Sequence, residues 1–472
     1  MNKHQDGRGV CRANRRQFLG GLLSTGVVLG FPAIVSGRNL NSRLSHAAIG
    51  TGNMAMNDLK AFLACKGIDI TVLCDTDANF LAEAKKLCPN ARTYHDWREL
   101  LAAEGDKIDS LNVSTTDHTH TVIAANALRK GKHVYCQKPM CKYLDEARLL
   151  RKLAAETGLV TQLGTQYASG VSDLQAIEMV RSGIIGPISR VCMYSTRTGG
   201  SRGARAFRPA EPVPSYLDWE TWIGPAAMRP FAAGYHPKLW RHWRDFGNGW
   251  VGDLCIHMMS APWQGLGLGR KMPLAVKAHD NPEFYKDPVY KQCWPRYSHI
   301  EYTMPGVPLT DGKPFKMDWY SGIKEDPTTP REFLPPDEIE ALFAKTPLKE
   351  RAHEGRVYVG EKGWILAPHQ QPGPVALMKD GTVVPAAAVP EAPNHYQQFV
   401  SCCLDGTKPR SDFSWTTYMT EAIIIAGVAE QIPDVEHKWD PAADSFHEPE
   451  ADKLVWSHYR AGWELEGLGK GA

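Results

Sequence analysis

Between Ser45 and Gln166, short apolar runs alternate with stretches whose apolar positions recur at helical spacing, the pattern of successive strand–helix–strand units. Strands are expected at His46–Ile49, Ile68–Cys74, Ile108–Val113, His133–Cys136 and Val160–Leu163. Helices are expected at Asp58–Ala64, Thr121–Arg129 and Asp145–Thr157. This period implies an α/β domain with a mostly parallel, doubly wound sheet, because parallel neighbours need a long crossover that is usually a helix. After Gln166 the pattern changes. Ile188–Arg197 alternates as a half-buried strand, and Val357–Trp364 and Leu377–Val384 are expected to be hairpins. Asn394–Leu404 and Thr416–Ala429 carry helical spacing, while the proline-rich stretch Gly265–Pro393 is expected to hold surface insertions.

The first strand runs straight into Gly50-Thr51-Gly52-Asn53-Met54-Ala55, which opens a helix. Gly50 permits a tight turn, Gly52 lets backbone approach a pyrophosphate, and small Ala55 lets the helix pack close to the strand. Backbone N–H groups at the helix start then face the phosphates. Asp75, at the end of the second strand, is placed to accept the adenosine ribose hydroxyls, and its charge repels a 2′-phosphate. NAD is therefore favoured over NADP. Asp77 offers a second contact or, alternatively, a solvated loop carboxylate.

A chain of 472 residues exceeds what one core usually serves, so two domains are expected. With 54 Lys and Arg against 52 Asp and Glu and no long basic run, the charge balance argues against nucleic acid as a partner. The eleven cysteines are scattered, with no Cys-x-x-Cys pair, which points to buried free thiols and to no metal site. At the N-terminus, Asn14-Arg15-Arg16-Gln17-Phe18-Leu19 and the weakly apolar Phe18–Val35 form a twin-arginine leader, with cleavage expected near Val35-Ser36-Gly37. A membrane anchor is the alternative. After processing the chain is expected to have no stable membrane insertion and to be periplasmic or otherwise exported. Twin-arginine export moves folded proteins, so a cofactor would be acquired first and retained.

Two segments carry a resemblance. Asn112-Val113-Ser114-Thr115-Thr116-Asp117-His118-Thr119-His120 and Gly131-Lys132-His133-Val134-Tyr135-Cys136-Gln137-Lys138-Pro139 are similar to the signature of the Gfo/Idh/MocA oxidoreductases. With its leader the chain resembles the exported branch of that family, which includes glucose-fructose oxidoreductase and NAD-dependent glycosidases. The resemblance implies a Rossmann domain over residues 45–166 and, over 167–435, an α+β domain with an open-faced, mostly antiparallel sheet. Residues 1–44 are then leader and linker, and 436–472 a C-terminal extension. Lys138 would sit beside the nicotinamide and the reacting hydroxyl, and Pro139 biases it toward an extended backbone. Gln137 stands where the family usually has glutamate, which removes a carboxylate next to the lysine. The cofactor set implied is Gly50, Thr51, Gly52, Asn53, Met54, Asp75, Ser114, Thr115, His118, His120, Gln137, Lys138 and Gln166. The spacing of His118 and His120 could also suit a metal, but the resemblance implies cofactor contact.

Gly252-Asp253-Leu254-Cys255-Ile256-His257 resembles the family's Asp-x-Gly-x-His stretch, departing from it at Cys255. On a helix, residues four apart share a face, so Asp253 would orient His257 as general base or bind a sugar hydroxyl. Lys138, Asp253 and His257 form the expected catalytic set. Pyranose rings need flat apolar faces and polar partners, and the segment Tyr235–Trp250 supplies both. Tyr167, His236, Trp240, Arg241 and Trp243 join the catalytic set as substrate candidates, with core packing the alternative for the aromatics. A carbohydrate substrate follows, with hydride leaving a pyranose hydroxyl. Retained NADH must be reoxidised in place: either a second sugar takes the hydride, or the same glycoside takes it back after elimination and hydration. A simple sugar dehydrogenase, a sugar–sugar oxidoreductase and a noncatalytic sugar-binding protein remain alternatives. The exposed sheet face is expected to pair copies into a homo-oligomer.

Overall fold

A computed structural model describes residues 43–196, 209–279 and 291–469, except positions 352, 371 and 391. The leader, including Arg15, Arg16 and the expected cleavage point, lies outside the described residues, as does Arg197 at the end of an expected strand.

The first sheet contains β1 (Leu44–Ile49), β2 (Ile68–Cys74), β3 (Arg92–Tyr94), β4 (Ser110–Val113), β5 (His133–Cys136) and β6 (Thr161–Leu163). All pairings are parallel, in the order β3-β2-β1-β4-β5-β6. That order reverses between β1 and β4, and a dinucleotide crevice opens beyond the carboxyl ends of strands at such a point. β4 alternates polar and apolar residues yet is buried throughout, because His46 on β1 pairs with both Ser110 Oγ (2.8 Å) and Asn112 Oδ1 (3.0 Å). β3 and the helices Ala78–Leu87 and Trp97–Glu104 escape the sequence pattern because they are short and charged. Their signal is the caps: Asp77 accepts from Asn79 N (2.8 Å) and Asp96 from Arg98 N (2.8 Å).

The second sheet contains β7 (Ile188–Ser195), β8 (Ala275–Ala278), β9 (Ser298–Met304), β10 (Phe315–Ser321), β11 (Glu354–Gly360), β12 (Gly363–Pro368), β13 (Val375–Met378), β14 (Val383–Pro385) and β15 (His437–Lys438). Its order is β14-β13-β12-β11-β7-β10-β9-β8-β15, and apart from the parallel β7/β10 pair the ladders are antiparallel. Both expected hairpins are present, as β11/β12 and β13/β14. The proline-rich stretch holds strands as well as insertions: β8 to β14 fall inside it, because prolines at strand ends and loops do not interrupt the ladders.

One insertion, residues 322–353, contains the helix Asp337–Ala344. It lays Ile339, Leu342 and Phe343 over Cys192, Tyr194 and Tyr320, covering part of the sheet face through which copies were expected to pair. The opposite face packs on the helices Val171–Arg181, Ile256–Gly265 and Phe413–Gln431. Residues 436–469 do not stand apart. β15 extends the sheet, and the tail then binds the helix Leu144–Thr157 through Ser457 Oγ to Asp145 (2.5 Å) and Tyr459 OH to Glu146 (2.6 Å). The ten described cysteines are buried and free. Among the described residues, no helix is long and apolar enough to cross a membrane.

Candidate active site

A cleft of about 1010 Å³ lies beyond the ends of β1, β2 and β4, lined among others by Gly50, Gly52, Asn53, Met54, Asp75 and Ser114. Gly50 has φ +86°, and a Cβ there would lie 2.5 Å from the Ser114 carbonyl oxygen, so only glycine fits. At Gly52 a Cβ would lie 2.1 Å from the Phe80 ring. A turn whose two glycines leave the backbone open, running into the helix Met54–Leu63, is the geometry a pyrophosphate requires, so the residues present fit a dinucleotide. Asp75 Oδ2 accepts from Thr51 N (2.7 Å) and Thr51 Oγ1 (3.0 Å), and Oδ1 from Asp77 N (2.9 Å). Thr51 therefore serves the cleft by fixing Asp75, whose Oδ1 keeps a lone pair for a ribose hydroxyl. Burial raises the Asp75 pKa against those bonds. Asp77 is no solvated carboxylate: it caps a helix and accepts from His236 Nε2 (2.7 Å).

Ser114, Thr115, His120, Gln137 and Lys138 also line the cleft, but besides Thr51, which acts through Asp75, the expected cofactor contacts His118 and Gln166 do not. His118 is packed between Trp222 and Phe246, and its ring nitrogens face the carbonyls of Trp222 (3.0 Å) and Phe246 (3.3 Å). Burial pushes its pKa down to about 3, so it is a neutral fastener between the domains. Gln166 turns its amide to Tyr396 OH (3.2 Å) and Tyr135 OH (3.5 Å). His120 reaches the cleft with its ring nitrogens already facing Pro139 O (2.8 Å) and Thr115 O (3.2 Å), so it shapes the Lys138-Pro139 turn.

The carboxylate missing at position 137 is supplied from another element. Gln137 Nε2 donates to both oxygens of Asp58 (2.8 and 3.0 Å), which also accepts from Ser114 Oγ (2.7 Å) and Tyr396 OH (2.7 Å). Asp58 is fully buried, and burial raises its pKa against these donors. Its sequence signal was a lone acid on the buried face shared by Ala55, Leu59 and Phe62.

At the reacting end, Lys138 Nζ donates to Asp253 Oδ1 (2.5 Å) and to the Asp253 carbonyl (2.5 Å), and Arg241 Nε stands 3.6 Å from the same Oδ1. An ammonium has three donors, so one N–H of Lys138 remains for a substrate oxygen. Burial alone would raise the Asp253 pKa, but the Lys138 and Arg241 cations outweigh it and hold the carboxyl far below its ordinary range. Asp253 thus positions Lys138, to which its carboxylate is bound. It lies on a π-helical turn, Val251–Cys255, four residues before His257, and the two groups still feel each other's charge.

His257 begins the following α-helix with its Nδ1 buried and unpartnered among the described residues. Burial, reinforced by Lys138 and His369, drives its pKa well below the ordinary histidine value, leaving a neutral imidazole. Tyr167 stands edge-on to it at 5.5 Å. His369 and Asp117 were not anticipated. His369 lies 6.0 Å from His257. Asp117 lines the cleft, accepts from Asn248 N (3.1 Å), and is raised by burial to about 7.

The segment expected to hold sugar mostly faces the cofactor. His236 and Trp240 line the dinucleotide cleft, Arg241 stacks on Trp240 at 4.2 Å, and Trp243 is core, edge-on to Tyr235 at 4.8 Å. Only Arg241 among them reaches the reacting end, because the chain folds this segment back over the glycine turn. On the second sheet, ligand-type atoms of His279, His299 and Glu301 lie within 4.8 Å of one another. The two imidazoles are parallel within 3° at 3.9 Å, so their in-plane lone pairs do not converge on one ion.

A doubly wound dinucleotide domain, joined to a mixed-sheet domain that supplies a carboxylate and an imidazole to its lysine, defines a two-domain NAD-dependent oxidoreductase. Residues 44–165 match the family model for the oxidoreductase family's NAD-binding Rossmann fold, and residues 176–304 that for its C-terminal alpha/beta domain. The chain belongs to the Gfo/Idh/MocA oxidoreductase family. It is 27% identical over 149 residues to a glycosyl hydrolase family 109 protein of Shewanella woodyi, covering 30% of this chain and 32% of that protein. It is 31% identical over 117 residues to D-apiose dehydrogenase of Paraburkholderia graminis, covering 25% of this chain and 31% of the enzyme. The matched region thus spans about a third of each relative. Aldose-aldose oxidoreductase of Caulobacter crescentus superposes with a TM-score of 0.55 at 17% identity, over 84% of this chain and 99% of that one, which shows the shared fold.

Proposed function

We propose that this chain is an exported carbohydrate oxidoreductase that keeps its NAD and cleaves a glycoside with no net redox change, by oxidation, elimination, hydration and reduction. The observation that carries the proposal is a strap from the second domain across the dinucleotide cleft. Ala78 N donates to Tyr216 O (2.8 Å), Asp218 N to Thr76 O (2.9 Å), His236 Nε2 pairs with Asp77 (2.7 Å), and Asn53 Nδ2 donates to Pro237 O (3.3 Å). A cofactor beneath these ties leaves only when they part, which suits a protein that must carry its dinucleotide out of the cytoplasm.

Bound NAD supplies a hydride acceptor at the carbinol carbon and later a donor. The chain's own part is proton and charge control. Lys138 directs its remaining N–H at the reacting oxygen, Asp253 and Arg241 fix the lysine, and neutral His257 takes the hydroxyl proton. A carbohydrate substrate is supported by the names of the relatives, a glycosyl hydrolase family 109 protein and a D-apiose dehydrogenase.

The test is to denature the purified protein and assay released dinucleotide, then to offer the native protein α- and β-glycosides without added cofactor. Sugar release with loss of C2 deuterium to solvent is the expected outcome. Accumulation of NADH without sugar release would establish a simple dehydrogenase instead, and reoxidation by a second sugar a sugar–sugar oxidoreductase.

A further inference from the structure

We infer that His369 is a second base of this site, the group that removes the proton from the carbon next to the oxidised carbinol. This rests on the redox-neutral cleavage proposed above, which demands two proton transfers from adjacent positions on one ring: from the C3 hydroxyl and from C2. An imidazole that has accepted the first proton cannot accept the second until it is emptied, so the chemistry calls for two bases a few ångströms apart.

The structure holds two such rings. His257 and His369 have centroids 6.0 Å apart and planes tilted by 45°. Tyr167 contacts both edge-on, at 5.5 and 4.3 Å. The two imidazoles come from different elements: His257 from the helix after the π-helical turn, and His369 from the end of β12, where its N–H is fixed by Glu354 O (3.1 Å). Nδ1 is the buried, unpartnered nitrogen in each, so Nε2 is the one a substrate can meet.

The groups facing His369 keep it in the basic form. Burial, with the Arg356 cation beneath, pushes its pKa down to about 3, so the ring is neutral in ordinary buffers. Arg356 is itself engaged by Asp173 and by the carbonyls of Met258 (3.1 Å) and His257 (3.4 Å), which ties both rings to one rigid support. The Tyr167 phenol, raised by burial and by Glu354, stays protonated and accepts from Gln370 Nε2 (2.9 Å), so it is a poorer base than either imidazole.

The step balances as follows. Once C3 is a ketone, the C2–H bond breaks and its proton goes to His369, while its electron pair forms the C1=C2 double bond. The C1–O bond breaks toward the leaving alkoxide, which takes a proton from water. The resulting hydroxide adds to C1, the His369 proton returns to C2, the hydride held by the cofactor returns to C3, and the proton held by His257 returns to the C3 oxygen. The net change is hydrolysis.

The experiment uses the full chain with its bound dinucleotide and a 1,5-anhydrohexitol deuterated at C2, which can be oxidised at C3 but has no group to expel at C1. Three readouts are taken: binding of the anhydrohexitol by calorimetry, reduction of bound nicotinamide by absorbance, and C2 deuterium loss by mass spectrometry. His369→Gln is expected to bind and to reduce nicotinamide within about threefold of wild type, while C2 exchange falls about 100-fold, the low end for losing a general base. His369→Phe, which keeps a ring against Tyr167, is expected to behave alike and replaces the glutamine variant should that one lose its bound dinucleotide. Exchange at the wild-type rate in these variants would overturn the assignment of His369 alone. Nicotinamide reduction without C2 exchange in wild type would overturn the cleavage proposal as well.

Discussion

The cofactor cleft and the reacting end share Lys138 but draw on the chain in opposite ways. The cleft is built from backbone: a glycine whose Cβ would strike the Ser114 carbonyl at 2.5 Å, a helix start, and an aspartate fixed by the turn it faces. The reacting end is built from side chains of separate elements, with Lys138 after β5, Asp253 on a π-helical turn, Arg241 on the strap and His369 after β12. A backbone site leaves a compact mark on sequence, whereas a side-chain site leaves isolated residues whose meeting is decided by the fold.

Breaking the cleft should have the largest effect. Gly50→Val adds a side chain where φ is +86° and the Ser114 carbonyl leaves no room, so the protein should purify without nicotinamide, as seen by absorbance after denaturation. Lys138→Ala probes the other region. It should keep the dinucleotide but lose turnover by about 10³-fold, within the range for a catalytic proton or charge group. Asp253→Asn should lose about 10²-fold with the dinucleotide again retained, since it acts through the lysine; equal losses in the two variants would sharpen its role from positioning to direct contact.

His236→Ala removes one tie of the strap, and dinucleotide release should quicken about tenfold, corresponding to about 1.4 kcal/mol, with KM for the sugar unchanged. The smallest effect is with pH. The His257 pKa is lowered on folding, so its base form persists into acid, and kcat should stay within about twofold between pH 8 and 6.5 and fall only below the ordinary histidine pKa of about 6.5. A half-maximal point at or above that value that persists in Asp117→Asn, which removes the cleft carboxyl raised to about 7, would mean that His257 is not held neutral by its surroundings.

The same contrast explains what the sequence disclosed. Gly50, Asp75 and Lys138 were legible because each answers to a constraint within a few residues. The spacing of Asp253 and His257 suggests a pair, but the hydrogen bond of the Asp253 carboxylate goes to Lys138, 115 residues away in sequence, a partner that no local pattern discloses. His236 and Trp243 stand in a segment whose alternating aromatic and polar residues suit either a sugar or the core, and the fold sends one to Asp77 and the other into the core. His369 carries no local pattern, and Asp58 only that of a lone acid on a buried helix face. Asp58 matters because Gln137, 79 residues away, donates to it, and His369 because β12 ends beside His257.

The most direct measurement is to mix the purified protein, given no cofactor, with a glycoside carrying deuterium at C2 and to follow sugar release together with solvent exchange. The account predicts free sugar with its C2 deuterium washed out and no net accumulation of NADH. Protein that contains no dinucleotide and takes none up, or sugar released with its C2 deuterium intact, would contradict it.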